Sequence, residues 1–136
     1  MENINGKLVI ALSRALRYTH RDSEELMRSY HLTMGQFQVL EALYHKGDCS
    51  IHTLTQAVLS TSGNMTVVIR NLEQAGYIIR DQNPEDRRSF LIRLTKAGQK
   101  LIGEVFTKHM VLLDKRLSKL SEAEKETIIE ILKKLK

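Results

Sequence analysis

QNPEDRRSFLIRLTKAG, from Gln82 to Gly98, reads as the end of one strand, a tight polar tip, a returning strand and the opening of a helix. Asn83-Pro84 breaks the backbone, because proline lacks an N–H and restricts the residue before it. Glu85, Asp86, Arg87 and Arg88 then crowd charge at the tip. Phe90, Ile92 and Leu94 alternate with Ser89, Leu91 and Arg93, the pattern of a half-buried strand with those three apolar residues inward. Tyr77 to Gln82 and Ser89 to Leu94 are the two expected strands of this hairpin.

Upstream, Ser62 to Ala75 reads as a helix. Met65, Val68, Ile69 and Leu72 have the i, i+3, i+4, i+7 spacing of a buried stripe. Gly76 stands where a left-handed residue would end that helix. Before it, Leu59 to Thr61 is a turn, Ile51 to about Val58 a short helix, and Cys49-Ser50 a short strand. Thr33 with Gln36 fits a capping box, opening a helix that turns Phe37, Leu40 and Leu43 inward and ends near Gly47. Ile4 to Tyr30 is one long helix, with Leu8, Leu12, Ala15, Thr19, Leu26 and Tyr30 roughly on one face.

Downstream, Thr95 is the expected N-cap of a helix running to about Leu117. Ser121 with Glu124 makes a second capping box, opening a last amphipathic helix with Ile128, Ile129, Leu132 and Leu135. The fold class is therefore mostly α with a small β hairpin. A small helix pair followed by a hairpin with adjacent arginines at its tip is how a winged helix-turn-helix meets DNA.

Composition fits one domain and excludes several alternatives. The 136 residues suffice for one core. No stretch approaches the roughly 20 apolar residues that span a bilayer, and MENINGK lacks the features of a signal peptide, so a cytoplasmic location with no membrane partner is expected. One cysteine, Cys49, excludes an internal disulfide. The net charge of +5 is modest, but residues 60–100 hold seven Lys/Arg against four Asp/Glu, whereas residues 31–59 hold one against two. A basic segment centred on the hairpin favours phosphate contact.

With Met65, Val68, Ile69 and Leu72 inward, the helix from Ser62 turns Gly63, Asn64, Thr66, Val67, Arg70, Asn71 and Gln74 outward. These are base-reading chemistries: Asn can pair bidentately with adenine, Arg with guanine, and Thr or Val can touch a thymine methyl. Gly63 lets the backbone approach phosphate at the helix N-terminus. An ordinary solvated helix face is also polar, but the outward Val67 and the single acid, Glu73, favour DNA. At the hairpin tip, Arg87 and Arg88 suit a narrow minor groove, and Asp86 is placed to accept hydrogen bonds from the Arg88 guanidinium and preset it.

SGNMTVVIRNLEQAGYIIRDQNPEDRRSFLIRLTKAGQKL resembles the recognition helix and wing of the MarR family of transcriptional regulators, and the D-R-R, strand, L-T-x-x-G segment is specific to that family. The resemblance implies a single domain over residues 1–136: a winged helix-turn-helix over about 33–98, with dimerisation helices at about 4–30 and 96–136. The long terminal helices are alternatively read as an intramolecular bundle. It further implies a homodimer on a pseudo-palindromic double-stranded DNA operator, commonly as a repressor. The family's wing Asp and Arg correspond to Asp86 and Arg88, and its recognition-helix contacts to Ser62, Asn64, Thr66, Val67 and Arg70. The chain departs from the common pattern at Thr61, where many members carry an acid, and at Asn71, where many carry Arg.

Regulators so resembled usually answer to a small phenolic or lipophilic effector between the dimerisation helices and the winged helix. Tyr18, His20, Met27, Tyr30, Phe37 and Tyr44 are the effector-binding candidates, each also readable as ordinary packing. Redox sensing would fall to Cys49, which has no basic residue beside it to lower its pKa. His20, His31, His45, His52 and His109 lack metal-ligand spacing, leaving only a composite of Glu41, His45 and His109, so no metal and no cofactor are expected. No catalytic motif is present, and an enzyme is not expected. A winged helix that binds protein instead of DNA is the remaining alternative.

Overall fold

Side-chain caps fix where the helices start. Thr33 Oγ1 accepts from Gln36 N at 3.1 Å while Gln36 Oε1 accepts from Thr33 N at 2.9 Å, and Ser121 with Glu124 repeats the reciprocal pair. The computed structural model describes residues 3–58 and 65–136. Its elements in order are α1 (Ile4–Ser29), α2 (Met34–Lys46), β1 (Cys49–Ser50), α3 (Ile51–Ala57), α4 (Met65–Gln74), β2 (Ile78–Gln82), β3 (Phe90–Leu94), α5 (Lys96–Arg116) and α6 (Glu122–Lys133).

Helix ends are equally local. Gly76, at φ 83°, closes α4: its N–H reaches Glu73 O and the Tyr77 N–H reaches Leu72 O, a Schellman arrangement. His31 closes α1 the same way at φ 59°, with the Leu32 N–H bonded to Met27 O. Met27 and Leu32 are both buried, the hydrophobic contact that accompanies this motif.

The three strands form one antiparallel sheet in the order β1-β3-β2, with Cys49 opposite Ile92 on one side and Arg80 opposite Ile92 on the other. Ile78 and Ile92 turn into a core shared with Phe37, Val39, Leu40, Leu43, Leu54, Ile69, Leu72, Ile102 and Val105. On α4, Ile69 and Leu72 are buried, and Met65 and Val68 are half-buried against the same cluster. Phe90, expected inward with Ile92 and Leu94, is instead 46% exposed. It sits at the tip end of β3, beyond the core, and the Arg80 guanidinium lies 6.0 Å from its ring centroid.

Gly98 joins sheet to helix. A Cβ there would stand 2.0 Å from the Tyr77 carbonyl oxygen, so only glycine lets α5 start this close to the strand. Thr95 completes the joint: its Oγ1 accepts from Gly98 N at 3.0 Å and donates to Gly76 O at 2.7 Å. The Leu94-Thr95-x-x-Gly98 pattern is thus a packing requirement.

The ends of the chain differ from this centre. α1 packs on α5 through its second half, where Ser23 and Met27 are buried. Its first half is exposed. Leu8 and Ala15, expected on the packed face, stand in solvent beside Ile4, Val9, Ile10 and Leu16. α6 buries none of its residues, leaving Ile128, Ile129, Ile131, Leu132 and nearby Leu135 exposed.

Candidate nucleic-acid interface and crevice

On α4, burial of Ile69 and Leu72 turns Thr66, Val67, Arg70 and Asn71 outward, all four exposed. Ser62, Gly63 and Asn64, expected to open this helix and reach DNA, lie outside the described residues, as does Thr61. Glu73, the single acid of the helix, is engaged: its Oε2 is 3.4 Å from Arg80 Nε on β2. That pair takes the negative charge off the outward face and ties helix to hairpin.

The hairpin tip is built by two side chains acting on the backbone. Asn83 Oδ1 accepts from Glu85 N at 3.0 Å, and Asp86 Oδ1 accepts from Arg88 N at 3.0 Å, Asx turns that stand in for backbone turns. The Asn83 N–H reaches Ser89 O, the Asp86 N–H reaches Asn83 O and the Ser89 N–H returns to Asp86 O. Asn83 Nδ2 also donates to Ser89 Oγ at 3.1 Å. Asp86 therefore shapes the loop through the Arg88 main chain, not through its guanidinium as the sequence suggested. Arg87 and Arg88 are left exposed at the tip. Lower down, Arg93 bridges Asp48 at 3.1 Å and Asp81 at 3.2 Å, cross-linking the three strands.

A crevice of about 450 Å³ opens between α1, α2 and α5. Of the residues singled out for an effector, His20 and Phe37 line it. Met27 is fully buried in the core. Tyr30 hydrogen-bonds Glu104 at 2.9 Å and Lys108 on α5. Tyr18 lies under the Arg116 guanidinium, 3.6 Å from its ring centroid, while Arg116 also pairs with Asp22 at 2.9 Å. Tyr44 stacks outside with His45 and Phe106. The sequence reading missed Ser23, Glu41 and His109 as crevice groups. His109 touches the Phe37 ring edge-on at 5.1 Å, and its Nε2 is 2.8 Å from Ser23 Oγ. Burial, then the neighbouring His20, lowers the His109 pKa; burial raises that of Glu41 against the opposing pull of His45.

Glu41, His45 and His109 all border this crevice, yet among the described residues no three side chains of metal-ligating type come together. Cys49 is buried, its Sγ donating to Gly47 O. Burial raises its pKa; Lys46, three residues upstream, pulls it down by less, and Asp48 adds to the rise. A thiol so held stays protonated and is a poor nucleophile.

A winged helix-turn-helix with an arginine-tipped wing is the family-specific feature of this structure, and comparison with known proteins agrees. The MarR family profile matches residues 32–90. HTH-type transcriptional regulator MhqR of Bacillus subtilis (strain 168) is 37% identical over 129 residues, covering 95% of this chain and 89% of that protein. The chain belongs to the MarR family. It is thus a DNA-binding transcriptional regulator of a kind that is not enzymatic. Among solved MarR-like structures, BpsR of Bordetella bronchiseptica, studied for regulation of its DNA binding by 6-hydroxynicotinic acid, has a TM-score of 0.78 and 26% identity, covering 95% of this chain and 98% of that one. AbsC, a MarR family regulator from Streptomyces coelicolor, has a TM-score of 0.88 at 17% identity, covering 99% and 93%, a likeness of fold. Among the described residues no helix is long and apolar enough to cross a membrane.

Proposed function

We propose that this MarR-family protein is a homodimeric, sequence-specific, cytoplasmic repressor released from its operator by a small organic effector. The observation that carries the DNA-contact assignment is the wing tip. Two exposed arginines stand on a loop pre-shaped by Asn83 and Asp86, so little order must be gained when they meet phosphate or a narrow minor groove. Ser62, Gly63, Asn64, Thr66, Val67, Arg70 and Asn71 are the proposed major-groove set, and Asp86, Arg87 and Arg88 the wing set.

The homodimer is supported by the chain ends. Ile4, Val9 and Ile10 in α1, and Ile129, Ile131 and Leu135 in or after α6, form apolar surface with nothing in this chain to cover it. Such patches mark interfaces, and a second copy covers both ends through a two-fold axis. Helices at about 4–30 and 96–136 then serve as dimerisation helices around a winged helix-turn-helix of about 33–98. The two-fold predicts half-sites roughly 10 bp apart, centre to centre.

The effector reading rests on the crevice, whose volume is in the range of small-molecule sites, and on the likeness to BpsR, which answers to a small hydroxylated aromatic acid. α2 lines the crevice and also packs on α4. A ligand that displaces α2 therefore changes the setting of the recognition helix, a coupling free energy between the two sites.

Fluorescence anisotropy on an operator duplex tests the contact surface. Arg88→Ala is expected to weaken binding about tenfold or more and nearly uniformly across duplexes, whereas Asn64→Ala relaxes preference at one base position. If both variants bind like the parent, the proposed surface is wrong.

A further inference from the structure

His109 is held so that one face of its imidazole is spoken for and the other is not. Ser23 Oγ donates its single proton to Thr19 O at 3.2 Å, an ordinary back-bond to the preceding helical turn. The same oxygen lies 2.8 Å from His109 Nε2. With its proton committed, Ser23 acts as acceptor, which assigns the ring hydrogen to Nε2 and leaves a bare lone pair on Nδ1. Nδ1 is shut off from bulk water and has no hydrogen-bond partner among the described residues. An acceptor in that state lacks the donor it would have in water. His109 lines the crevice with Phe37, Met34 and Leu113 as apolar neighbours, and with Glu41 as a second acceptor in the wall.

We infer that His109 is the polar anchor of the crevice, its Nδ1 taking a hydrogen bond from the hydroxyl of an uncharged aromatic ligand, so that phenols are selected over aromatic carboxylates. The inference rests on the crevice being the effector site. A phenol brings the donor that Nδ1 lacks and an apolar ring for Phe37, Met34 and Leu113. A carboxylate brings only lone pairs, which meet those of Nδ1 and Glu41. Protonating His109 to receive an anion is opposed by its burial and by His20. No arginine lines the crevice, and its single lysine, Lys46, is exposed, so no buried fork stands ready for a carboxylate.

Isothermal titration of the full chain with 4-chlorophenol, its methyl ether 4-chloroanisole and 4-chlorobenzoate at neutral pH tests this. The first two differ in the hydroxyl proton, and the third is ionised. The expected result is a phenol bound about tenfold tighter than the ether, the worth of one hydrogen bond, and tighter than the benzoate. In His109→Leu the phenol–ether gap closes while the ether keeps its affinity. Crevice filling by Ala42→Phe abolishes binding of the phenol. Equal binding of phenol and ether to the parent protein overturns the anchor while leaving the crevice as the ligand site, and so does a gap that survives in His109→Leu. A benzoate that binds tightest overturns the selection. If no probe binds, or if Ala42→Phe binds all three unchanged, the crevice reading itself falls and the anchor falls with it.

Discussion

The centre and the ends of this chain handle apolar residues in opposite ways. Between α2 and the first half of α5, Leu40, Leu54, Ile69, Ile92 and Ile102 are fully or almost fully buried, and the helices and strands are closed by their own caps. In α6 and the first half of α1, residues of the same kind face water: Ile4 is 74% exposed and Leu135 is 72%. The same chemistry gives a finished lobe in one place and an unfinished surface in the other. The central lobe is what one copy can complete, and the ends are what two copies must complete together.

The largest effects come from breaking the finished part. Ile92→Ala, which removes a fully buried side chain at the middle of the sheet, is expected to cost about 3 kcal/mol of unfolding free energy by chemical denaturation. Gly98→Ala attacks the same lobe from outside the core, driving a methyl into the Tyr77 carbonyl, and is expected to cost about 2 kcal/mol or more. A stability unchanged in both would mean that the lobe does not depend on the packing described.

A charge in the unfinished part separates the two regions. Ile131→Asp, at an exposed α6 position, is expected to weaken self-association at least about tenfold in sedimentation equilibrium, with the circular dichroism of the lobe retained. An unchanged association constant would show that α6 is not part of the dimer surface.

The smallest effect is pH-dependent and lies where the two regions meet, at the Ser23–His109 contact between α1 and α5. Folding lowers the His109 pKa below its ordinary value of 6.5. Below that value the unfolded chain takes up a proton that the native ring resists, so stability is full at higher pH and falls as pH drops. His20, the other imidazole beside it, contributes to the same loss. Thermal denaturation from neutral to mildly acidic pH is expected to show a downward slope that is flatter in His109→Phe. An identical slope in the variant would remove His109 as its cause.

What could be read from the sequence follows the range of the interaction. Capping boxes at Thr33 and Ser121, the stop at Gly76 and the cap at Thr95 are settled within a few residues, and the helix bounds expected from them agree with the structure to about one residue. Alternation predicted β3 but not where the core beneath it ends, so Phe90 was assigned inward and is not. Asp86 was assigned to a guanidinium because charge pairing suggests itself from sequence, whereas the backbone amide two residues on is a nearer donor in a tight turn. The crevice was hardest. Its wall joins α1, α2 and α5 across 86 residues of sequence at the Ser23–His109 contact. Choosing aromatics from the first two helices found His20 and Phe37 but passed over Ser23, Glu41 and His109. A histidine in the otherwise apolar stretch of the fifth helix was the one available sign.

The most direct test of the central claim is a fluorescence anisotropy titration of the full chain on a duplex from upstream of its own gene, beside a scrambled duplex, over a salt series. The account predicts selective binding by two copies per duplex, weakening steeply as salt rises because the wing and helix contact phosphates. Equal, weak binding to both duplexes, with one copy bound at a time, would contradict it.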